Sequence, residues 1–403
     1  MSQRPTARAW PIWVGLGSTV VVVMLSMNVD GCETPRPQLE SAPATSTTTQ
    51  QHPLDDVDAV GVGWQHACVL RRGEVWCWGN ATFSGGNAQT PANLSRIAIA
   101  GSVQQLAVTA KQNCALLEDG TAWCWGENND RCSNPARANE VFVHDAQGRP
   151  PPVLLSTARP RPERVGTDDR LTSLSLGTAH GCATTESGTL LCWGLDFRDA
   201  YGDACAPLHA PTTVIASGVT SVKTGHFWTC ATANGERRCF GDAPSAPLLE
   251  VGIADHTAFN GMVNASCGLV EGGVSCEGST DGGLLGVPPG QPPLFETPTR
   301  VAGLDGAQSL SLGTYHGCVR VENQARCWGG NAFRQSDPAS DDAWVPATRI
   351  DLPAPVIDVQ TGTDHARALL RDRTVRCWGR NLEHQVGVAA RSDHEPPTAI
   401  VLP

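Results

Sequence analysis

"HACVLRRGEVWCWGN", residues 66–80, sets two cysteines nine positions apart around a single Gly, with a tryptophan on either side of the second cysteine. Near-copies return at residues 112–126, 180–194, 228–241, 265–278, 316–329 and 365–379. Each copy ends in Cys, then Trp, Phe or Glu, then Gly. The second cysteines fall at 77, 124, 192, 239, 276, 327 and 377, a mean step of 50 residues. A period of this size marks a propeller, a solenoid or an array, and it overrides the two or three domains that 403 residues suggest by length alone.

Each unit reads as a β-hairpin. Pairing Cys68 with Cys77 sets Val69 opposite Trp76, Leu70 opposite Val75 and Arg71 opposite Glu74, leaving Arg72-Gly73 as a two-residue turn. Where the spacing is ten, as from Cys114 to Cys124, the turn becomes Glu118-Asp119-Gly120, a three-residue loop ending on a left-handed Gly. Directly opposed residues on antiparallel strands lie about 4.5–5.5 Å apart at Cα, inside the window for a disulfide. Ala67, Val69, Trp76 and Trp78 share one face of the hairpin, while Cys68, Leu70, Val75 and Cys77 share the other. Both faces are apolar, so each sheet must be covered on both sides. Stacking sheets around an axis does this and a single sandwich does not.

Two other uses of paired cysteine fit less well. Zinc sites use close C-x2-4-C pairs and redox dithiols use C-x-x-C, and neither spacing occurs here. The predicted bridges are therefore structural: Cys68–Cys77, Cys114–Cys124, Cys182–Cys192, Cys230–Cys239, Cys267–Cys276 and Cys318–Cys327. His66, His180, His316 and His365 stand two positions before the first cysteine, where other units have Gln112, Trp228 and Ala265. The recurrence raises a metal ring at a central channel, but a repeated strand-end hydrogen bond explains it more simply. No metal ligand set is assigned.

Composition limits the partners. The formal net charge of −11 argues against a nucleic-acid-binding surface, which needs a basic stripe. At the N-terminus, Arg4 and Arg8 precede an apolar run from Ile12 to Met27, and "NVDGC" follows, ending at Cys32. This order predicts a lipoprotein-type signal peptide over residues 1–31, with Cys32 lipidated at the mature N-terminus, although Asp30 departs from the usual small or apolar residue. The alternatives are simple secretion, or an uncleaved anchor, for which the 18 residues from Ile12 to Val29 are just long enough. All three put the body of the protein outside the cytoplasm, where disulfides persist. Residues 32–52 are rich in Pro, Ser, Thr and Gln without an apolar period and read as a disordered tether, or a glycosylated stalk. The propeller is assigned to residues 53–403.

The unit as a whole (Gly-x-x-His-x-Cys, a turn Gly, Cys-Trp-Gly, then Gln-x-Gly and Pro-x-x-Val) resembles the regulator of chromosome condensation repeat. The likeness is plainest in the seventh unit, with Gly362, His365, Trp378, Gly379, Asn381 and "HQVG" at 384–387. "TPTRV" at 297–301 and "PPTAIV" at 396–401 fit the Pro-led strand of that repeat. Only Leu284-Leu285-Gly286 and Gln385-Val386-Gly387 keep its second Gly motif, and Glu277 replaces Trp in the fifth unit. The resemblance implies an all-β fold, a seven-bladed β-propeller, here of a bacterial exported kind. It does not imply one activity: relatives with this architecture include nucleotide-exchange factors, a secreted inhibitor of β-lactamase and lyases.

The residues themselves carry no catalytic motif: G-x-S-x-G, H-E-x-x-H, a P-loop and a Rossmann fingerprint are all missing. Asp168-Asp169 and Asp341-Asp342 sit in loop-like segments and read as solvated turns rather than acid–base pairs. No catalytic residue and no cofactor are assigned. The expectation is an extracytoplasmic module, a membrane-anchored lipoprotein facing periplasm or cell surface, that binds a protein or cell-envelope ligand through its loops. The membrane is expected as a partner only through the lipid. A hydrolase or lyase with a site at the central channel is the alternative. Aromatic residues of the connecting segments, Phe142, Tyr201 and Trp344 above all, are the candidate contacts, since loops on a rigid scaffold carry binding. The competing use for them is to plug gaps between blades. Of the remaining cysteines, Cys132 and Cys205 lie in post-tryptophan loops of adjacent units and are paired as an inter-blade bridge. Cys377 has lost its partner, because Arg367 holds the first-cysteine position, and is expected as a buried, inert thiol.

Overall fold

The computed structural model describes residues 55–86, 94–128, 157–178, 180–194, 210–225, 228–241, 265–290 and 294–400. The predicted signal peptide and tether, Cys32, Cys132, Cys205, Phe142 and Tyr201 lie outside the described residues. The described strands form seven antiparallel sheets, and each sheet takes its strands from one contiguous stretch of chain. The first sheet is made of Val57–Val62, His66–Arg71, Glu74–Gly79 and Ser95–Arg96. The seventh is made of Val356–Thr361, His365–Leu370, Val375–Gly379 and Glu395–Ala399. Five sheets show four strands each, and the fourth and fifth show three among the described residues. All belong to one compact unit, Gln50–Pro403. Among the described residues no helix is long and apolar enough to cross a membrane.

The hairpin registers agree with the pairing read from the turns. Cys68 faces Cys77, with Val69 opposite Trp76, Leu70 opposite Val75 and Arg71 opposite Glu74. Arg72 and Gly73 both take positive φ, 50° and 75°, the mirror-image turn whose twist matches the strands. In the second blade Cys114 faces Cys124, and the Gly120 amide closes the longer turn on the Leu117 carbonyl. Six cysteine pairs are bridged in this way, with Cα atoms 4.0–4.1 Å apart. That number of bridges fits an oxidising, extracytoplasmic environment.

The two faces of each hairpin go to different neighbours. Ala67, Val69 and Trp78 of the first blade pack with Leu369, Val375 and Cys377 of the seventh. Cys68, Leu70 and Val75 pack instead with Val103, Ala115 and Trp125 of the second. Further clusters join the second blade to the third, the third to the fourth, the fifth to the sixth and the sixth to the seventh. The ring therefore has its core between blades rather than inside any of them. This is the physical reason that a hairpin such as that of the first blade is apolar on both faces, whereas the second strand of the fourth hairpin, Glu236–Gly241, is largely exposed.

Candidate functional site

The first strands of six blades face the axis and line a cavity of about 300 Å³. Its rim is formed by strand ends such as Gly63-Trp64, Gly177-Thr178 and Gly313-Thr314. These are the ends from which the Cys-Trp-Gly segments also leave, so the rim and the long connecting segments share the loop end of the ring. The hairpin turns lie at the opposite, turn end. Lys223 is the one charged side chain among the described residues lining the cavity.

The recurring histidines do not ring this cavity. They are buried in the seams between blades. His66 Nε2 lies 2.8 Å from Asn113 Oδ1, and His180 Nε2 lies 2.9 Å from Thr229 Oγ1. In both cases the partner is the residue between the histidine position and the first cysteine of the next blade. The equivalent places after the sixth and seventh blades belong to Ala366 and Ala67, which offer no side-chain polar atom. Burial pulls the His66 and His180 pKa values down to about 4 and that of His316 to about 3. His365 lies well below the ordinary value, chiefly through burial and then through the nearby Arg367 charge. All four rings are therefore neutral at physiological pH. Gly63 explains the Gly-x-x-His spacing: a Cβ there would collide with the His66 ring. Among the described residues no group of three or more His, Cys, Asp or Glu is placed to hold a metal.

The tryptophans after the second cysteine do more than fill the seams. Trp125 Nε1 donates to the Ser84 carbonyl of the preceding blade at 2.9 Å, and Trp378 Nε1 donates to that of Gln335 at 2.9 Å. Trp328 reaches Leu284 at 2.6 Å, and Trp78 reaches Gln385 of the seventh blade at 3.0 Å. The acceptors at Leu284 and Gln385 open the two Gly motifs that follow Cys-Trp-Gly in the repeat. That motif is a sequence signal for two of the four bonds, and the hairpin pattern alone does not reveal any of them. Phe240 and Glu277 carry no indole N–H, so the fourth and fifth blades cannot make it.

Trp344 is half-buried at the seam of the fifth and sixth blades, and its indole Nε1 donates to the Gly283 carbonyl at 3.2 Å. Phe83, Trp64 and Lys111 meet at the seam of the first and second blades, the Lys111 ammonium 5.2 Å from the Trp64 ring centroid. Arg380 lies over Phe333 at 4.7 Å between the sixth and seventh. Asp364, beside it, has its carboxyl pKa raised by burial, against the opposing pull of Arg380. The loop end thus presents half-exposed aromatic rings at three seams, of which Trp64 alone lines the cavity. The turn end is different: Arg170 donates to the Glu118 and Asp119 carbonyls, Arg371 to Asn323 and Arg373 to the Val57 carbonyl, each tying one blade to its neighbour. Asp168 and Asp169 lie there, on the connection into the third blade, whereas Asp341 and Asp342 belong to the loop end.

Cys377 is free and buried, and burial pushes its thiol pKa up to about 11, so it is a poor nucleophile.

The Regulator of chromosome condensation (RCC1) repeat profile matches residues 103–132 and 356–385, in the second and seventh blades. A comparison with curated protein sequences found no match. Among solved structures, Prp20p from Saccharomyces cerevisiae, described for its binding to Gsp1p and histones, is 19% identical with a TM-score of 0.44, over 85% of this chain and 76% of that one. The receptor kinase CR4 ectodomain from Physcomitrella patens is 18% identical with a TM-score of 0.46, over 81% and 74%. The CRINKLY WD40 ectodomain of the Arabidopsis thaliana receptor kinase ACR4 is 15% identical with a TM-score of 0.45, over 87% and 100%. The chain is a seven-bladed β-propeller that carries Regulator of chromosome condensation (RCC1) repeats.

Proposed function

We propose that the protein is an extracytoplasmic interaction module that binds a protein or cell-envelope ligand through the loop end of the propeller. The contrast between the two ends carries this reading. At the turn end, arginines are committed to backbone and side-chain acceptors of adjacent blades. At the loop end, half-exposed aromatic side chains lie at three of the seams between blades, and one of them, Trp64, lines the axial cavity. Aromatic residues held on a rigid frame contribute large contact area with little entropy left to lose, which is what binding surfaces favour. Trp344 fits this role because its indole is anchored by the Gly283 carbonyl while remaining half-exposed. Phe142 and Tyr201, in the connections of the second and third blades, are proposed to extend the same surface. The N-terminal part is proposed to follow the order signal peptide 1–31, tether 32–52 and propeller 53–403, with Cys32 as the lipid attachment point.

The test is capture of partners from native envelope extract by the mature protein and by two groups of variants. Alanine at Phe142, Tyr201 and Trp344 should abolish capture of any specific partner, whereas Arg170→Ala and Arg371→Ala should not. The reverse pattern rejects the loop end as the binding surface. Mass spectrometry of the mature N-terminus checks the lipid on Cys32 separately.

A further inference from the structure

Arg367 occupies the position that the other six blades give to the first cysteine of the hairpin bridge, and its cross-strand partner is Cys377. Its side chain is fully buried, yet it makes no ion pair among the described residues. It turns away from its own hairpin. Nη1 donates to the Gly61 carbonyl of the first blade at 3.0 Å, and the guanidinium stacks over the Trp78 ring at 5.1 Å. Nη2 approaches His365 Nε2 at 3.5 Å. A buried cation without a carboxylate is costly unless oriented dipoles and π-faces meet its protons and charge. Here the Gly61 carbonyl and the Trp78 face meet part of that need, while Nε has no hydrogen-bond partner among the described residues.

The place of this contact in the ring is informative. Six seams join blades that are consecutive in the chain. The seam of the seventh and first blades joins Val356–Ala399 to Val57–Arg96 across almost the whole sequence, and neither sheet lends the other a strand. Among the described residues, nothing covalent and no shared ladder holds it. The corresponding side chains in the first and third blades are half-cystines, whose Sγ atoms come no nearer than 3.6 Å to Asn113 and 3.8 Å to Thr229 of the next blade. A bridged cysteine cannot span a seam to the next blade's inner strand; an arginine can.

We propose that Arg367 is the latch that closes the propeller ring, and that this role is why the last unit carries arginine rather than cysteine opposite Cys377. The latch acts together with the Trp78 indole, which Arg367 covers on one face and which donates to Gln385. It also closes the ring without a bond that a reductant can break.

Hydrogen exchange on Arg367→Cys and Arg367→Met, each compared with the native protein, tests this. Arg367→Cys restores the hairpin pair with Cys377, verified by non-reducing peptide mapping. A latch predicts that Val57–Val62 amides nevertheless exchange about tenfold or more faster, as expected on losing a charge-assisted hydrogen bond, while Val219–Thr224 amides are unchanged. Arg367→Met should show the same local loss without the new bridge, and it supplies the answer if the cysteine variant does not fold. Native protection at Val57–Val62 in a bridged Arg367→Cys, or in Arg367→Met, overturns the proposal. So does a loss spread evenly over all blades.

Discussion

The Trp78 indole of the first blade donates to the Gln385 carbonyl of the seventh at 3.0 Å, although 307 residues separate them in the chain. The same bond recurs between Trp125 and Ser84, Trp328 and Leu284, and Trp378 and Gln335. The tryptophan of each of these Cys-Trp-Gly segments is thus fixed by a loop of the blade before it. Its large ring fills the seam and its N–H sets the spacing between sheets.

Replacing one of these indoles should cost more than its lost area alone. Trp328→Phe keeps a ring in the seam but leaves the buried Leu284 carbonyl without its donor, for an expected loss of about 1–3 kcal/mol. Trp78→Phe should cost at least as much, since it also removes part of the surface under Arg367. Denaturant unfolding measures both. A loss of less than about 0.5 kcal/mol, the usual range for an inert substitution, would show that the bond is incidental.

Mild acid should destabilise the protein before its carboxylates titrate fully. His66, His180 and His316 have native pKa values of about 3 to 4, and His365 is also well depressed. In the unfolded chain a histidine titrates near 6.5. The unfolded state therefore binds more protons between these limits, and stability falls as pH drops from about 6.5 toward 4. Asp364, with its raised pKa, acts in the opposite direction, but it is one group against four. His180→Gln, copying the residue found naturally at Gln112, should lower the slope of stability against pH by up to ~1.4 kcal/mol per unit. An unchanged slope between pH 6 and 5 rules out the buried ring as the cause.

The hairpin bridges should behave as separate local staples. Removing one as the pair Cys68→Ala and Cys77→Ala should lower stability by ~2–3 kcal/mol, the chain-entropy value for a loop of this size. Five of the six pairs are buried and should resist mild reductant until the protein unfolds, whereas Cys230–Cys239, with Cys239 half-buried on an exposed strand, should be the first bridge reduced. Peptide mapping should find Cys377 free and Cys132 joined to Cys205. A Cys377-linked peptide contradicts this assignment.

Gly63 should tolerate no side chain. A Cβ at this position would overlap the His66 ring and the Thr109 carbonyl, so Gly63→Ala is expected to cost ~1–3 kcal/mol as overpacking. Combining it with His66→Ala should recover part of that loss. Additive costs in the double variant indicate that the backbone carbonyl, rather than the ring, sets the limit.

Part of the candidate surface is legible in the amino-acid sequence. Trp344 stands out as an aromatic in a connecting segment, and that segment lies at the loop end, the end of the ring at which the cavity rim also lies. Which aromatics are held by a neighbour is not legible there. Trp344 is pinned to Gly283 of the blade before it, a contact that depends on how two loops from different units meet. For the recurring histidines the sequence favours a strand-end hydrogen bond over a metal ring but does not name the partner, because His66 and Asn113 belong to different units.

The seven-fold repetition, the hairpins, their turn types and the six bridges are written in the sequence alone. All of the hairpin features follow from residues within about ten positions of one another, where turn chemistry and strand alternation leave a single register. What crosses the seams depends on tertiary packing: the indole bonds, the histidine partners and the reach of Arg367 to Gly61. Periodicity states that equivalent faces must meet, but not at what stagger. A shift of one residue between neighbouring sheets would give each of these side chains a different partner while leaving every hairpin intact.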